Sequence, residues 1–199
     1  MSKENTIGIL NFTPLLFQIS FRYNMGMINF TYIKYGVALA LISILLGISL
    51  GLGFGCCEDT IVDKFKKDST EVLDTVYDGS QKKANRVVNK SWNYMIRAHL
   101  HSQTMGVISL VFSLLVAGLK FAPRWQLGIS IFSGLGALGY GTFWLLAGFL
   151  APRMGSTSAS KNAIELLAQG SAGCFFVSAI VLFALLGMRM FAFQNTAPE

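Results

Sequence analysis

GVALALISILLGISLGLGFGC, residues 36–56, contains no charged side chain. As a helix rising about 1.5 Å per residue, it matches a hydrocarbon core of about 30 Å. Three further stretches, 104–122, 126–150 and 164–188, are of similar length and character. The expected fold is therefore an all-α integral membrane protein, a four-transmembrane-helix bundle occupying 36–193. An N-terminal interfacial or flexible arm (1–35) precedes it, and a short tail (194–199) follows.

Composition agrees. The chain has 199 residues, 53% of them hydrophobic and 13% charged, with 20 glycines and a mean hydropathy of +0.53. Soluble domains rarely reach such values. The net charge of +6 raises the question of a nucleic-acid partner. The basic residues flank the apolar runs, however, and lipid headgroups and membrane orientation account for them better. The bilayer and other membrane subunits, or further copies of the chain, are the expected partners.

In the arm, Phe17, Ile19, Phe21 and Tyr23 alternate with polar residues and Pro14 interrupts any helix, which favours a segment lying in the headgroup layer. Met25 and Met27 lie close before the first span and offer alternative starts. Gly53-Phe54-Gly55-Cys56 lacks the aliphatic residue of a lipoprotein cleavage box, and nothing marks a signal peptide.

Each of the first three spans carries small residues at intervals of four: Ser43, Gly47, Gly51 and Gly55; then Ser109, Ser113 and Ala117; then Ser133, Ala137 and Gly141. In lipid, helices associate largely by close backbone approach, and such faces permit it. A glycine-rich rotor helix would also need a mid-membrane carboxylate, and no span has one there. Docking through these faces is the expectation.

The polar segment 57–103 nearly balances its charges. Ile61, Phe65, Val72, Leu73, Val76 and Tyr77 fall at helical spacing, so it reads as amphipathic helix outside the membrane, broken near Asp78-Gly79-Ser80. From Gln81 one long helix is expected to run through Trp92 into the second span. Ala122-Pro123-Arg124 reads as a hairpin, and 152–162 as a Ser-rich loop. Four crossings place both termini on one side with six Lys and Arg (Lys3, Arg22, Lys34, Lys120, Arg124, Arg189). The other side holds ten: Lys64, Lys66, Lys67, Lys82, Lys83, Arg86, Lys90, Arg97, Arg153 and Lys161. The positive-inside rule then places the large loop in the cytoplasm, by a margin that one loop supplies.

This topology gathers the reactive side chains at one face: Cys56, Cys57, Arg97, His99, His101, Arg153 and Glu165. Ionisable groups beside an apolar zone are functional candidates. In Arg97-Ala98-His99-Leu100-His101, an extended backbone would let both imidazoles ligate one metal. A regular helix turns them about 200° apart, aligning His101 with Arg97 and Met105, and His99 with Met95 and Gln103. One histidine would then ligate haem b or copper, and a bis-histidine haem would have to be shared with another subunit. Metal ligation assisted by Cys56, Cys57 and Met105, a proton or quinone site, and simple hydrogen bonding at headgroup level to phosphate, water or Glu165 are all open.

Glu165 also fits a helix cap, three residues after Asn162. Cys56 and Cys57 suit S-acylation, metal ligation or plain packing. Cys174 reads as packing. The Ser158 and Lys161 pair stands without the other motifs of acyl-serine enzymes. Phosphate-binding glycine loops, Cys-x-x-Cys pairs and His-Glu-x-x-His helices are absent from the sequence. Tyr32, Tyr35, Trp92, Tyr94 and Trp125 read as interfacial anchors. Trp144 lies deeper, where its indole N–H needs a partner. The function expected is a non-catalytic subunit of a larger membrane complex, respiratory or redox in type. The rival is a haem- or copper-binding protein built on His99 and His101.

Overall fold

The computed structural model describes residues 28–192. A 3-10 turn, Phe30–Tyr32, leads into α1 (Lys34–Glu71), α2 (Leu73–Val76), α3 (Gln81–Gly118), α4 (Pro123–Met154), α5 (Thr157–Ala163) and α6 (Glu165–Ala192). The described residues are thus helical with short connections, and α1, α3, α4 and α6 are long and apolar enough to cross a membrane. The expectations for Phe17 to Tyr23, for the two early methionines and for the tail lie outside the described residues.

Local chemistry explains the boundaries. Asp78 and Gly79 both adopt positive φ, and the Ser80 hydroxyl accepts from the Lys83 amide to open α3. Pro123 sits in the first turn of α4, where a missing N–H costs nothing. Gly155, left-handed at φ 73°, closes α4. Two connections differ from the sequence reading. The stretch 152–162, expected as a Ser-rich loop, is mostly helix, because α4 continues to Met154 and Ser156 caps α5 through the Ala159 amide. Asn162 consequently lies inside α5, and the junction before α6 is Ile164, so Asn162 does not cap the helix that Glu165 begins. Cys57, at φ −140° and ψ 25°, interrupts α1 where its apolar half meets its polar half.

The small residues are spent inside the chain. A Cβ on Gly36 would collide with Ser130, one on Gly47 would lie 2.9 Å from the Gln103 amide nitrogen, and one on Gly134 would lie 3.0 Å from the Gly36 carbonyl. Gly106 meets the Ala40 carbonyl, and Gly141 meets Ser102, in the same way. Such contacts bring α1, α3 and α4 together mutually, whereas α6 rests mainly on α4, where Gly136 faces the backbone of Ser171 and Phe175. Buried serines stitch the crossings: Ser43 donates to the Ser102 carbonyl at 2.9 Å, and Ser109 and Ser133 share a 2.8 Å bond. The faces expected to dock partners are therefore largely occupied within the chain. Glycines with open space around them include Gly53 and Gly55 on α1 and Gly170, Gly173 and Gly187 on α6.

Beyond the Cys57 break, the polar half of α1 packs across the N-terminal half of α3 and the end of α4. Phe65, Val88 and Met95 form one buried cluster, and Tyr77, Ala84, Val87 and Ala151 a second. Phe65 meets Phe149 edge-on at 5.5 Å, and the Tyr77 hydroxyl donates to the Pro152 carbonyl at 2.6 Å. This headpiece is thus continuous with the long helices.

Candidate functional site

His99 projects from α3 toward α1. Its Nδ1 donates to the Gly47 carbonyl at 2.7 Å, since a carbonyl oxygen can only accept. Gly51 leaves the space for the ring: a Cβ there would stand 2.6 Å from His99 Cε1. Phe54 closes the contact edge-on at 5.8 Å. The glycine spacing on α1 and the histidine on α3 are thus two halves of one helix crossing.

His101 faces α4. Its ring lies edge-on to Tyr140 at 5.1 Å and stacks beside Trp144 at 6.1 Å. One turn away, the Arg97 guanidinium lies 4.9 Å from the Trp144 ring and 5.5 Å from Tyr94, a cation–π arrangement. One turn in the other direction, Met105 joins Tyr140, Ala172, Phe175, Phe176 and Ala179 around an apolar groove of about 420 Å³ between α3, α4 and α6. Trp144 Nε1 is buried with no hydrogen-bond partner among the described residues.

The two histidines therefore address different helices across α3. Their backbone is helical, so the extended geometry that would let both grip one metal is not present. Met105 belongs to the His101 side, while Cys56 and Cys57 are exposed at the break in α1. Among the described residues no three His, Cys, Asp or Glu side chains gather at metal-binding distance, and a shared haem or copper site finds no support. Glu165 is exposed and accepts from Gln169 at 2.7 Å.

Arg153 is engaged elsewhere. It donates to Asp68 through Nε and Nη2 at 3.0 and 2.9 Å, and to Glu71 at 2.8 Å, while Lys64 reaches Asp68 at 2.6 Å. Asp68 is buried and lies beyond the apolar half of α1. Burial alone would raise its carboxyl, but the hydrogen bonds from Lys64 and Arg153, and then their charges, hold it below the usual carboxylate range. Asp68 was not singled out from the sequence. Its signal was available, since Ile61, Phe65, Asp68 and Val72 share one helical face.

The outward face of α3 is basic. Lys82, Arg86, Lys90 and Arg97 recur at intervals of four, four and seven and are all exposed, opposite the buried Ala84, Val88, Ser91 and Ala98. None of the four pairs with a carboxylate among the described residues. No protein-family model matches the chain, and no curated protein or solved structure matches it.

Proposed function

We propose that this chain is a multi-pass integral membrane protein that works as a non-catalytic subunit of a larger membrane assembly. The observation that carries the reading is the headpiece: a folded platform locked to the long helices by Tyr77 and Arg153, with the row Lys82, Arg86 and Lys90 facing outward and pairing with no carboxylate among the described residues. A platform of this kind suits docking. The row extends well past the headgroup layer. From Lys82 to Arg97 a helix rises about 22 Å, against roughly 5–7 Å of headgroup on each side of a bilayer. Its upper part is thus suited to a peripheral acidic partner, and the open glycines of α6 to a neighbouring membrane helix. In this reading the headpiece is cytoplasmic, on the side with more Lys and Arg.

The test is the native mass of the tagged chain extracted in mild detergent from its own membranes. The expected result is a complex heavier than the detergent-bound monomer that shrinks in the Lys82→Glu, Arg86→Glu, Lys90→Glu triple variant while helicity is kept. Monomers in both samples would sink the reading. The haem or copper alternative is decided on the same material by visible absorption and elemental analysis. A Soret band or stoichiometric copper that His99→Ala or His101→Ala removes would replace the subunit reading.

A further inference from the structure

We propose that Arg97, His101, Trp144 and the groove below them form a binding site for one anionic phospholipid. Two rows of side chains build it. On α3, Arg97, His101 and Met105 succeed one another at intervals of four, and on α4 Trp144 and Tyr140 do the same in the opposite direction. The rows are in register, with Arg97 over Trp144, His101 between Trp144 and Tyr140, and Met105 beside Tyr140 on the groove wall. Chemistry changes along them. The upper end offers a guanidinium with no carboxylate partner among the described residues, together with an imidazole. The lower end is apolar, walled on its far side by Phe175 and Phe176 of α6.

An amphipathic ligand with an acidic head fits that gradient. From Arg97 to Met105 the helix descends about 12 Å, enough to take a phosphate at the top and the first part of an acyl chain in the groove. Arginine binds phosphate through a planar fork of donors, and its stacking on Trp144 holds that fork at the mouth. The site rests on the membrane-embedded reading and is independent of any partner protein.

The purified full chain is equilibrated with vesicles of equal phosphatidylglycerol and phosphatidylcholine with identical acyl chains, then examined by native mass spectrometry. Wild type is expected to retain one phosphatidylglycerol, at least ten-fold over phosphatidylcholine. Arg97→Gln is expected to abolish the preference and Arg97→Lys to restore part of it. Arg124→Gln, which removes the same charge at the far end of the molecule, is expected to leave the preference intact. Ala172→Phe, which fills the groove, is expected to reduce retention of the long-chain lipid while short-chain phosphatidylglycerol still binds. Equal retention of both lipids by wild type, or equal losses in Arg97→Gln and Arg124→Gln, would overturn the site. Release of the chain from membranes by alkaline carbonate would overturn the membrane reading itself, which keeps the two failures distinguishable.

Discussion

At Gly47 and Gly51 a hydrogen atom stands where any side chain would enter α3. Leucine at position 51 has to displace the His99 ring, so Gly51→Leu is expected to cost about 1–3 kcal/mol. Leu52 is 70% exposed, and Leu52→Ala is expected to stay within about 0.5 kcal/mol. Thermal melts in one detergent decide it, and equal losses would refute the glycine crossing. The same comparison applies to Gly47→Ala against Gly53→Ala, because a Cβ at Gly53 meets nothing within 4 Å. The spacing of these glycines was legible in the sequence, since intervals of four define a face on any helix. What they face was not legible, because a hole does not name the residue that fills it. Asp68 shows the converse. A carboxylate within a run of balanced charges looks solvated until its neighbours at three and four residues are recognised as apolar. Its pH dependence follows from the lowered carboxyl: the stabilisation is complete above the unfolded value near 3.8 and is lost as pH falls through the lower folded value. Lys64 and Arg153 are more than half exposed, so solvent screens the cluster and it stabilises less than a fully buried pair would. Asp68→Asn is therefore expected to lower stability at pH 7 and to flatten the acid limb below the unfolded value near 3.8. An unchanged acid limb would refute the role given to this carboxylate.

Among the elements, the helix ends separate into those written in residue types and those set by packing. Asp78-Gly79-Ser80 announced its break through positive-φ chemistry and a capping serine. The seven residues of α5 gave no comparable warning, because serine and threonine favour caps and turns as readily as a short helix. The chain holds them helical between the end of α4 and the start of α6. The joints of the headpiece are accordingly its testable points. Tyr77→Phe removes the hydroxyl that binds the Pro152 carbonyl and is expected to cost about 1 kcal/mol. Gly155→Ala meets both a left-handed backbone and Val76, so a larger loss is expected, about 2 kcal/mol or more. Urea titrations of the two variants, followed by tryptophan fluorescence, would show whether Gly155 is the costlier position.

For the molecule as a whole, hydropathy identified the four long helices, and helical geometry placed the two histidines on opposite sides of α3. Hydropathy could not rank the contacts among those helices, since an apolar surface reads alike whether it meets lipid or protein. The proposed orientation is checked at Cys56 and Cys57, both exposed where α1 breaks. In a Cys174→Ser background, a membrane-impermeant maleimide is expected to label inverted vesicles and spare intact cells. The opposite pattern would reverse the topology.

The lopsided seat of α6 bears on how the protein is made. α1, α3 and α4 leave the ribosome before α6 and hold contacts with one another that do not involve it. α6 emerges after them, resting on α4 and reaching α3 through side chains such as Phe175 and Phe183 beside Phe112. The chain thus has a natural division point after Ala163. Two polypeptides divided there and synthesised together should reunite into one particle, whereas a division between α3 and α4 would separate helices that depend on each other.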